Sequence, residues 1–204
     1  MRDGWKKIHG WSAFLSTYDM MVDEARDGDT IVEIGVAFGR SIAYLARRVI
    51  DSGKRVRVVA VDPWLDDRWE FPSDYPLDAP RPGWGGEHAE WARAQGGPFN
   101  AFLTSMHEHA PEELERITVL RCRSADASLI IGPCRGVMID ASHDYIDVLA
   151  DIAMWRHHII PGGILAGDDY SARDFPGVVR AVKDSFQDGY ETDGGTTWRK
   201  RRTP

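Results

Sequence analysis

Four side chains with metal-binding chemistry follow two strand-like apolar runs of this sequence. Asp140 ends the first run and His143 comes three residues later, while Asp168 and Asp169 end the second. The carboxyl ends of parallel strands meet at one edge of a sheet, where open α/β sheets bind their ligands. Three carboxylates at that edge would repel one another, and a divalent cation would remove the repulsion. We therefore predict a metal site on Asp140, Asp168 and Asp169, with Mg²⁺ as the ion and Mn²⁺ or Ca²⁺ as substitutes.

Such an ion would act on an oxygen nucleophile. A bound divalent cation is a Lewis acid that can chelate a substrate hydroxyl and lower its pKa. His143 would then remove the proton as a general base, because imidazole exchanges protons near neutral pH. We assign Asp140 and His143 as the catalytic residues. The alternative is that the carboxylates cap helices and turns and that His143 is a polar histidine with a structural partner.

A second group of candidate residues lies in a glycine-containing turn. A strand-like run leads into the pattern E-x-G-x-x-x-G-x-S, formed by Glu33, Gly35, Gly39 and Ser41, and this pattern opens a helix. Glycine lets the backbone approach a ligand where a side chain would collide. The spacing differs from the dinucleotide pattern G-x-G-x-x-G, and it fits better a turn around the amino-acid end of a sulfonium cofactor. An ordinary tight turn is the alternative.

Further cofactor contacts are expected at the ends of the next two strands. Asp62 ends the second strand roughly 20 residues after the glycine turn, where such folds bind ribose hydroxyls; its alternative is a turn or cap residue. Ser124 follows the third strand and would lie on the adenine side, but Ser-Ala-Asp is also a common helix start. The predicted cofactor-binding residues are Glu33, Gly35, Ala37, Gly39, Ser41, Asp62, Pro63, Trp64, Ser124, Ala125 and Asp140.

The elements that must position these residues alternate between strands and helices from about residue 30 onward. This alternation predicts an α/β fold of the Rossmann-like class, with a doubly wound, mostly parallel, seven-stranded sheet. A C-terminal antiparallel hairpin is predicted within 190–198 around a glycine turn. The predicted parallel strands are 30–35, 55–62, 117–121, 136–140 and 163–168. The predicted helices are 40–51, 100–109, 125–131, 145–158 and 177–187, and the sheet-facing side predicted for the fourth comprises Ile146, Leu149, Ile152 and Ala153.

One segment of the predicted single domain 1–204 does not follow the alternation. Residues 65–98 are rich in proline, glycine and tryptophan, and a loop of this length inside a compact domain is usually functional or disordered. We predict a lid or an acceptor-binding segment whose tryptophans stack on sugar or aromatic faces. The alternatives are a hydrophobic plug on the sheet edge, a structural insert, and an oligomer contact that would make the protein a homo-oligomer.

The composition narrows the classes of partner. The 204 residues carry a formal net charge of −7, which disfavours nucleic acid because binding a phosphate backbone needs a clustered basic surface. The basic run 199–202 is predicted to be a solvated terminal face. No apolar run is long enough to span a bilayer, and the N-terminus lacks the pattern of a signal peptide. We therefore expect a cytoplasmic protein that acts on a small molecule, without a membrane partner.

The motifs in combination resemble those of class I S-adenosylmethionine-dependent O-methyltransferases. The glycine pattern from Glu33 to Ser41, together with Asp140 and the pair Asp168-Asp169, resembles catechol O-methyltransferase and related metal-dependent enzymes. The stretches 139–145 (IDASHDY), 161–163 (PGG) and 167–170 (GDDY) more closely resemble macrocin-type sugar O-methyltransferases, which have a histidine where the catechol enzyme has a lysine base. The resemblance covers residues 30–64 and 117–187 and leaves out the insert.

The resemblance implies a methyl transfer that depends on S-adenosylmethionine and a divalent metal. The acceptor would be a hydroxylated small molecule, namely a sugar, a glycosylated natural product or a catechol-like phenol. Two alternatives come from other classes. A metal-independent N-methyltransferase would bind the cofactor and be indifferent to chelators, and a non-catalytic Rossmann-like binding module would bind neither cofactor nor metal tightly.

Overall fold

A computed structural model describes residues 3–65 and 87–203, which form a central sheet with helices on both faces. Its seven strands run in the order β3-β2-β1-β4-β5-β7-β6, in which β7 pairs antiparallel with both β5 and β6 and all other pairs are parallel. The strands are β1 Thr30–Ile34, β2 Arg57–Val61, β3 Ile117–Leu120, β4 Cys134–Ile139, β5 Ile159–Gly167, β6 Glu191–Thr192 and β7 Trp198–Arg201. The predicted fold class and the C-terminal hairpin are confirmed.

The helices cover both faces of this sheet. A short 3-10 helix, Gly4–Lys7, precedes the first α-helix. The α-helices are α1 Leu15–Glu24, α2 Arg40–Ser52, α3 Glu87–Ala94, α4 Pro98–His109, α5 Pro111–Leu114, α6 Ser124–Ser128, α7 Tyr145–Trp155 and α8 Pro176–Phe186. Of the helices that the structure describes, none combines the length and the apolar character needed to cross a membrane.

The register of the parallel strands brings three strand ends side by side. Ile34 of β1 pairs with Ile139 of β4, which in turn pairs with Gly167 of β5. The Asp140 amide continues the ladder by donating to the Ile34 carbonyl oxygen at 2.7 Å, and the Asp168 amide donates to the Ile139 carbonyl oxygen at 3.2 Å. The residues that follow β1, β4 and β5 therefore lie next to one another at the carboxyl edge.

Two apolar layers fill the space between the sheet and its helices. β1 is buried on both faces, as expected for a central parallel strand, and successive side chains alternate between the layers. Ile31 packs in the layer with α1, α2 and α4, and Val32 packs in the layer with α7 and α8. The alternation places Glu33 on the same side as Ile31, beneath α1 and α2.

Helix α1 lies outside the predicted alternation, which began only at residue 30. Its buried face consists of Thr17, Tyr18, Met21 and Val22. This spacing fits a helix, but Thr17 and the neighbouring acidic residues weaken the apolar pattern. The side chain of Met21 lies so close to β4 that a Cβ on Gly136 would be 2.5 Å from its sulfur atom.

Part of the predicted insert is helical. Residues 87–94 form α3, because this stretch lacks glycine and proline and contains the good helix formers alanine, glutamate and arginine. Pro98 begins α4 at a position where proline is tolerated. Residues 66–86 lie outside the described residues, so the lid stays a prediction.

The basic run 199–202 is part of the sheet, and its last two side chains are exposed, as expected for a solvated face. Residues 199–201 belong to β7 and pair with β5. Arg201 donates two hydrogen bonds to Glu24 of α1, at 2.6 and 2.8 Å. Arg202 donates to the Ile159 carbonyl oxygen at 2.5 Å. Long basic side chains can pack along a strand while their charged ends find partners, and this run forms the strand between β5 and β6.

The sheet-facing side of α7 matches the prediction at Ile152, which is buried, and at Leu149, which packs against the same core, but it differs at the other two positions. Ile146 is 67% exposed and Ala153 is exposed. The buried face is formed by Val148, Asp151, Ile152 and Trp155. These residues follow the spacing of one helical stripe, which shares Ile152 with the predicted face.

Candidate active site

Asp140, His143 and Asp169 converge where β4 and β5 end. One ligand atom from each residue lies within 4.8 Å of the other two. His143 Nε2 lies 2.6 Å from Asp169 Oδ2, and the imidazole is buried. The three side chains, with Asp168 and Trp198, line one narrow cleft. The structure therefore brings both predicted catalytic residues and all three predicted metal carboxylates to one place.

Asp168 is oriented differently from its neighbours. Its Oδ1 accepts a hydrogen bond of 2.6 Å from the Thr196 hydroxyl, in the segment between β6 and β7. Burial and the nearby Asp169 carboxylate raise the pKa of Asp168 to about 6. The group at ligand distance thus contains His143 in the place expected for Asp168. Thr196 was not predicted as a site residue, because the hairpin contact joins positions far apart in the sequence.

The electrostatics of this cleft suit a positively charged ligand. Burial raises the pKa of Asp140 well above its ordinary range, and the charges of Asp168 and Asp169 raise it further. The carboxylates of Glu33 and Asp62 act in the same direction. A cation would relieve this repulsion. The donor set of carboxylate oxygens and one imidazole therefore fits both a divalent ion and a cationic cofactor.

The turn between β1 and α2 packs directly against Asp140. Gly35 and Gly39 have φ values of +84° and +95°. A Cβ on Gly35 would lie 1.9 Å from the Asp140 carbonyl oxygen, and one on Gly39 would lie 2.7 Å from the Met106 sulfur atom and 3.0 Å from the Phe102 ring. Both glycines are required by contacts within the protein itself, which hold the turn against β4 and α4.

Glu33 lies at the end of β1 just before this turn and accepts hydrogen bonds from two helices. The Tyr18 hydroxyl donates to Glu33 Oε2 at 2.5 Å, and the Ser41 hydroxyl donates to Oε1 at 2.5 Å. Burial raises the pKa of Glu33 to about 8. The predicted contacts Glu33 and Ser41 therefore bind each other and connect β1 to α1 and α2. Tyr18 was missed; its helical spacing with Phe14 and Met21 was the available signal.

Asp62 binds backbone amides of the same turn. Its Oδ2 accepts the amides of Val36 at 2.8 Å and Ala37 at 3.1 Å, and its Oδ1 accepts the amide of Trp64 at 2.6 Å. Burial raises the pKa of Asp62. The Trp64 indole N–H donates to the Ala37 carbonyl oxygen at 2.7 Å, and Pro63 lies half-buried between them.

Two predicted cofactor contacts lie against another helix. The Ser124 hydroxyl donates to Asp151 Oδ1 at 2.5 Å and accepts the Trp155 indole N–H at 2.8 Å, so it is held on α7. Burial raises the pKa of Asp151 to about 6. Ala125 is exposed. The contacts of Glu33, Ser41, Asp62 and Trp64 lie in or around the turn that packs on Asp140, whereas Ser124 and Ala125 lie apart from it.

Phe175 is a further residue of the site that sequence reasoning missed. Its ring lies over His143, with the centroids 4.4 Å apart and the planes inclined by 34°. Phe175 is buried immediately before α8. The His143 ring is therefore held between Phe175 and Asp169, with Nε2 directed toward the carboxylate.

Comparison with known proteins adds a family and several structures. The profile of the family described as methyltransferase domain matches residues 32–170, a span that contains every predicted site residue. No curated protein sequence matches this chain.

Solved methyltransferases share the fold at low sequence identity. The O-methyltransferase NovP is 17% identical with a TM-score of 0.62, over 93% of this chain and 79% of that one. The calicheamicin methyltransferase CalS11 is 17% identical with a TM-score of 0.61, over 92% and 77%. An O-methyltransferase from Bacillus cereus, in complex with SAH, is 16% identical with a TM-score of 0.56, over 95% and 83%. These similarities establish a common architecture.

Proposed function

This chain belongs to the methyltransferase domain family and is an S-adenosylmethionine-dependent methyltransferase, and we propose that it methylates a hydroxyl oxygen of a small molecule with the help of a divalent cation. The observation that carries the proposal is the convergence of Asp140, His143 and Asp169 beside the glycine turn. Gly35 contacts Asp140 directly, so a cofactor on the turn and an acceptor in the cleft would be neighbours.

The cofactor would be held by the turn 35–39 and by carboxylates around it. When bound, S-adenosylmethionine supplies an electrophilic methyl group on a positively charged sulfur atom. Asp62 orients the amides of the turn, and Glu33 fixes the beginning of α2 through Ser41. The acidic surroundings that raise the pKa of Asp140 favour a cationic ligand at this position.

The cation would be held by Asp140 and Asp169, with Asp168 as the third carboxylate. It would supply Lewis acidity toward the acceptor hydroxyl. His143 is assigned to accept the hydroxyl proton at Nδ1, because Nε2 lies 2.6 Å from the Asp169 carboxylate and carries its own proton there. That carboxylate would stabilise the ring once both nitrogens are protonated. Phe175 keeps the ring in that orientation.

Oxygen as the acceptor atom has support beyond the cleft. NovP and the Bacillus cereus protein, which share the fold, are both O-methyltransferases. A hydroxyl must lose its proton during methyl transfer, and the cleft offers an imidazole for that purpose. The hydroxylated small-molecule acceptor is proposed on the same basis.

A methyl-transfer assay tests this function. Purified protein would be incubated with S-adenosylmethionine and separate phenolic and sugar acceptors, with Mg²⁺ or with EDTA, and methylated product measured by mass spectrometry. We expect product with Mg²⁺ and its loss with EDTA. Asp140→Asn should lower kcat by about 100-fold or more. Asp147→Asn, an exposed carboxylate on α7, is the matched control and should retain activity.

The outcomes separate the alternatives. Transfer to an amine acceptor that continues in EDTA would indicate a metal-independent N-methyltransferase and contradict the proposal. Full activity of Asp140→Asn would show that Asp140 and its cleft take no part in the reaction.

A further inference from the structure

The C-terminal hairpin is bonded to both residues that flank the metal candidate Asp169. Thr196, in the segment between β6 and β7, makes two of these bonds. Its hydroxyl donates to Asp168 Oδ1 at 2.6 Å, and its carbonyl oxygen accepts the Tyr170 amide at 2.7 Å. The Tyr170 hydroxyl also lies 2.5 Å from the Tyr190 hydroxyl, just before β6. The hairpin therefore holds the chain immediately before and immediately after Asp169.

Asp169 has an unusual backbone conformation between these two attachments. Its φ is +60°, in the left-handed region that is disfavoured for a residue with a side chain. Its carbonyl oxygen accepts the Ser171 amide at 2.7 Å, and its carboxylate lies 2.6 Å from His143 Nε2. Such a conformation persists only where the surrounding structure holds it. The two bonds from Thr196 to the neighbouring residues contribute to that hold.

Thr196 lies in a turn that has hydrogen bonds of its own. The Asp193 carboxylate accepts the amides of Gly195 at 2.9 Å and of Thr197 at 3.3 Å. The Asp193 amide donates to the Thr197 carbonyl oxygen at 3.1 Å. β7 begins directly after this turn and pairs antiparallel with β5. The fold thus delivers the Thr196 hydroxyl to the end of β5, directly before Asp168.

The bond to Thr196 orients a carboxylate of the cleft without neutralising it. Asp168 lines the cleft together with Asp140, His143 and Asp169. A hydroxyl is an uncharged donor, so the negative charge of Asp168 remains available to a cation, whereas a lysine or arginine partner would offset it. Carboxylate ligands of metal ions are commonly oriented by such hydrogen bonds from residues outside the ligand set.

We propose that Thr196 is a positioning residue of the cation site. Its hydroxyl fixes the orientation of the Asp168 carboxylate, and its carbonyl oxygen fixes the backbone from which Asp169 reaches the cleft. The inference rests on the proposed function, because it assigns a role toward the divalent cation proposed there. The C-terminal hairpin then contributes to cation binding as well as to the sheet.

Mn²⁺ binding to the purified full chain, followed by electron paramagnetic resonance, tests this role without requiring turnover. Thr196→Val keeps the branched shape and the backbone carbonyl and removes the hydroxyl. We expect the affinity for Mn²⁺ to fall about tenfold. Thr196→Ala should show a similar loss, and Thr196→Ser, which retains a hydroxyl, should keep most of the affinity. Thr192→Val, at an exposed position of β6 in the same hairpin, is the matched control and should bind Mn²⁺ as wild type does.

A double-mutant cycle tests whether the Thr196 hydroxyl acts through Asp168. Asp168→Ala removes the acceptor of the hydroxyl bond. Adding Thr196→Val to Asp168→Ala should therefore lower the Mn²⁺ affinity no further. A second loss of the same size would show that Thr196 does not act through Asp168 and would overturn the inference.

Other results would also overturn the inference. Wild-type Mn²⁺ affinity of Thr196→Val would do so, and so would tighter binding, which would show that the hydroxyl competes with the ion for Asp168. Equal losses in Thr196→Val and Thr196→Ser would show that the hydroxyl is not responsible. Wild-type protein that binds no Mn²⁺ would contradict the metal site of the proposed function and the inference with it. A cooperative thermal unfolding transition like that of wild type checks that each variant folds.

Discussion

At the residue scale, Glu33 combines complete burial with two short hydrogen bonds. Tyr18 and Ser41 supply the hydroxyl donors, and burial raises the pKa of Glu33 from its ordinary 4.5 to about 8. The folded protein therefore holds the proton more tightly than the unfolded chain does. Between these two pKa values unfolding releases a proton, so the stabilisation present at acid pH is lost as the pH rises toward 8.

The variant Glu33→Gln should remove this pH dependence. Glutamine keeps the size of the side chain and cannot ionise, so the variant should gain stability relative to wild type between about pH 5 and about pH 9, on the order of a few kcal/mol. Urea unfolding of both proteins at the two pH values measures the difference. If the free energies of unfolding of wild type and Glu33→Gln change equally between the two pH values, Glu33 ionises as easily in the folded state as in the unfolded chain.

His143 provides the second test at this scale. If His143 accepts the proton of the acceptor hydroxyl, His143→Gln should lower kcat by about 100- to 10,000-fold. Affinity for S-adenosylhomocysteine and for Mn²⁺, followed by calorimetry and electron paramagnetic resonance, should persist. His107→Gln, on the exposed side of α4, is the matched control. Loss of Mn²⁺ binding in His143→Gln would instead make His143 a metal ligand, as its distance to Asp140 and Asp169 also permits.

At the scale of elements, the glycine turn and the end of β4 form one unit. Gly35 lies where a Cβ would meet the Asp140 backbone, and Asp62 binds the amides of the turn. The glycine turn therefore cannot shift without moving the strand end that carries Asp140. The hairpin adds a third contact, because Thr196 binds Asp168 and its carbonyl oxygen accepts the Tyr170 amide at 2.7 Å.

Substitution of Gly35 tests this coupling. In Gly35→Ala, a residue with a side chain must adopt a positive φ, which costs roughly 1–2 kcal/mol. The new Cβ would also overlap with the backbone of Asp140, which cannot move aside as a side chain could by changing its rotamer. We expect a loss of at least about 3 kcal/mol in the free energy of unfolding. Gly28→Ala has a similar φ of +90° and no atom within 4 Å of its Cβ, so it should lose only about 1–2 kcal/mol. Equal losses would contradict the tight packing of the turn.

The residues at the carboxyl edge of the sheet could be predicted from the sequence because each strand end is marked by a short stretch of neighbouring residues. The apolar runs before Asp140 and Asp168 and the turn after Glu33 each carry their own pattern, and parallel strands must align them. The partners of these residues are not encoded in this way. Tyr18 and Thr196 reach Glu33 and Asp168 across 15 and 28 positions, and a hydrogen bond between distant polar residues leaves no periodic signal in the sequence.

At the scale of the whole molecule, the last strand of the chain is bonded to the first α-helix. Arg201 of β7 binds Glu24 of α1, and Arg199 of β7 donates to the Met20 sulfur atom at 3.2 Å. Helix α1 in turn carries Tyr18 to Glu33. The proposed cofactor and metal sites thus lie in one packed unit, and a ligand that binds only the folded state should stabilise the unit as a whole.

Titration of S-adenosylhomocysteine into the purified protein, with Mg²⁺ and again with EDTA, tests the central claim most directly. The account predicts a dissociation constant on the order of micromolar and a separate Mg²⁺ signal that Asp140→Asn abolishes. It also predicts a rise in the unfolding temperature that grows with S-adenosylhomocysteine concentration. Absence of S-adenosylhomocysteine binding under both conditions would contradict the account, since the turn, Asp62 and the acidic cleft would then have no cofactor to hold.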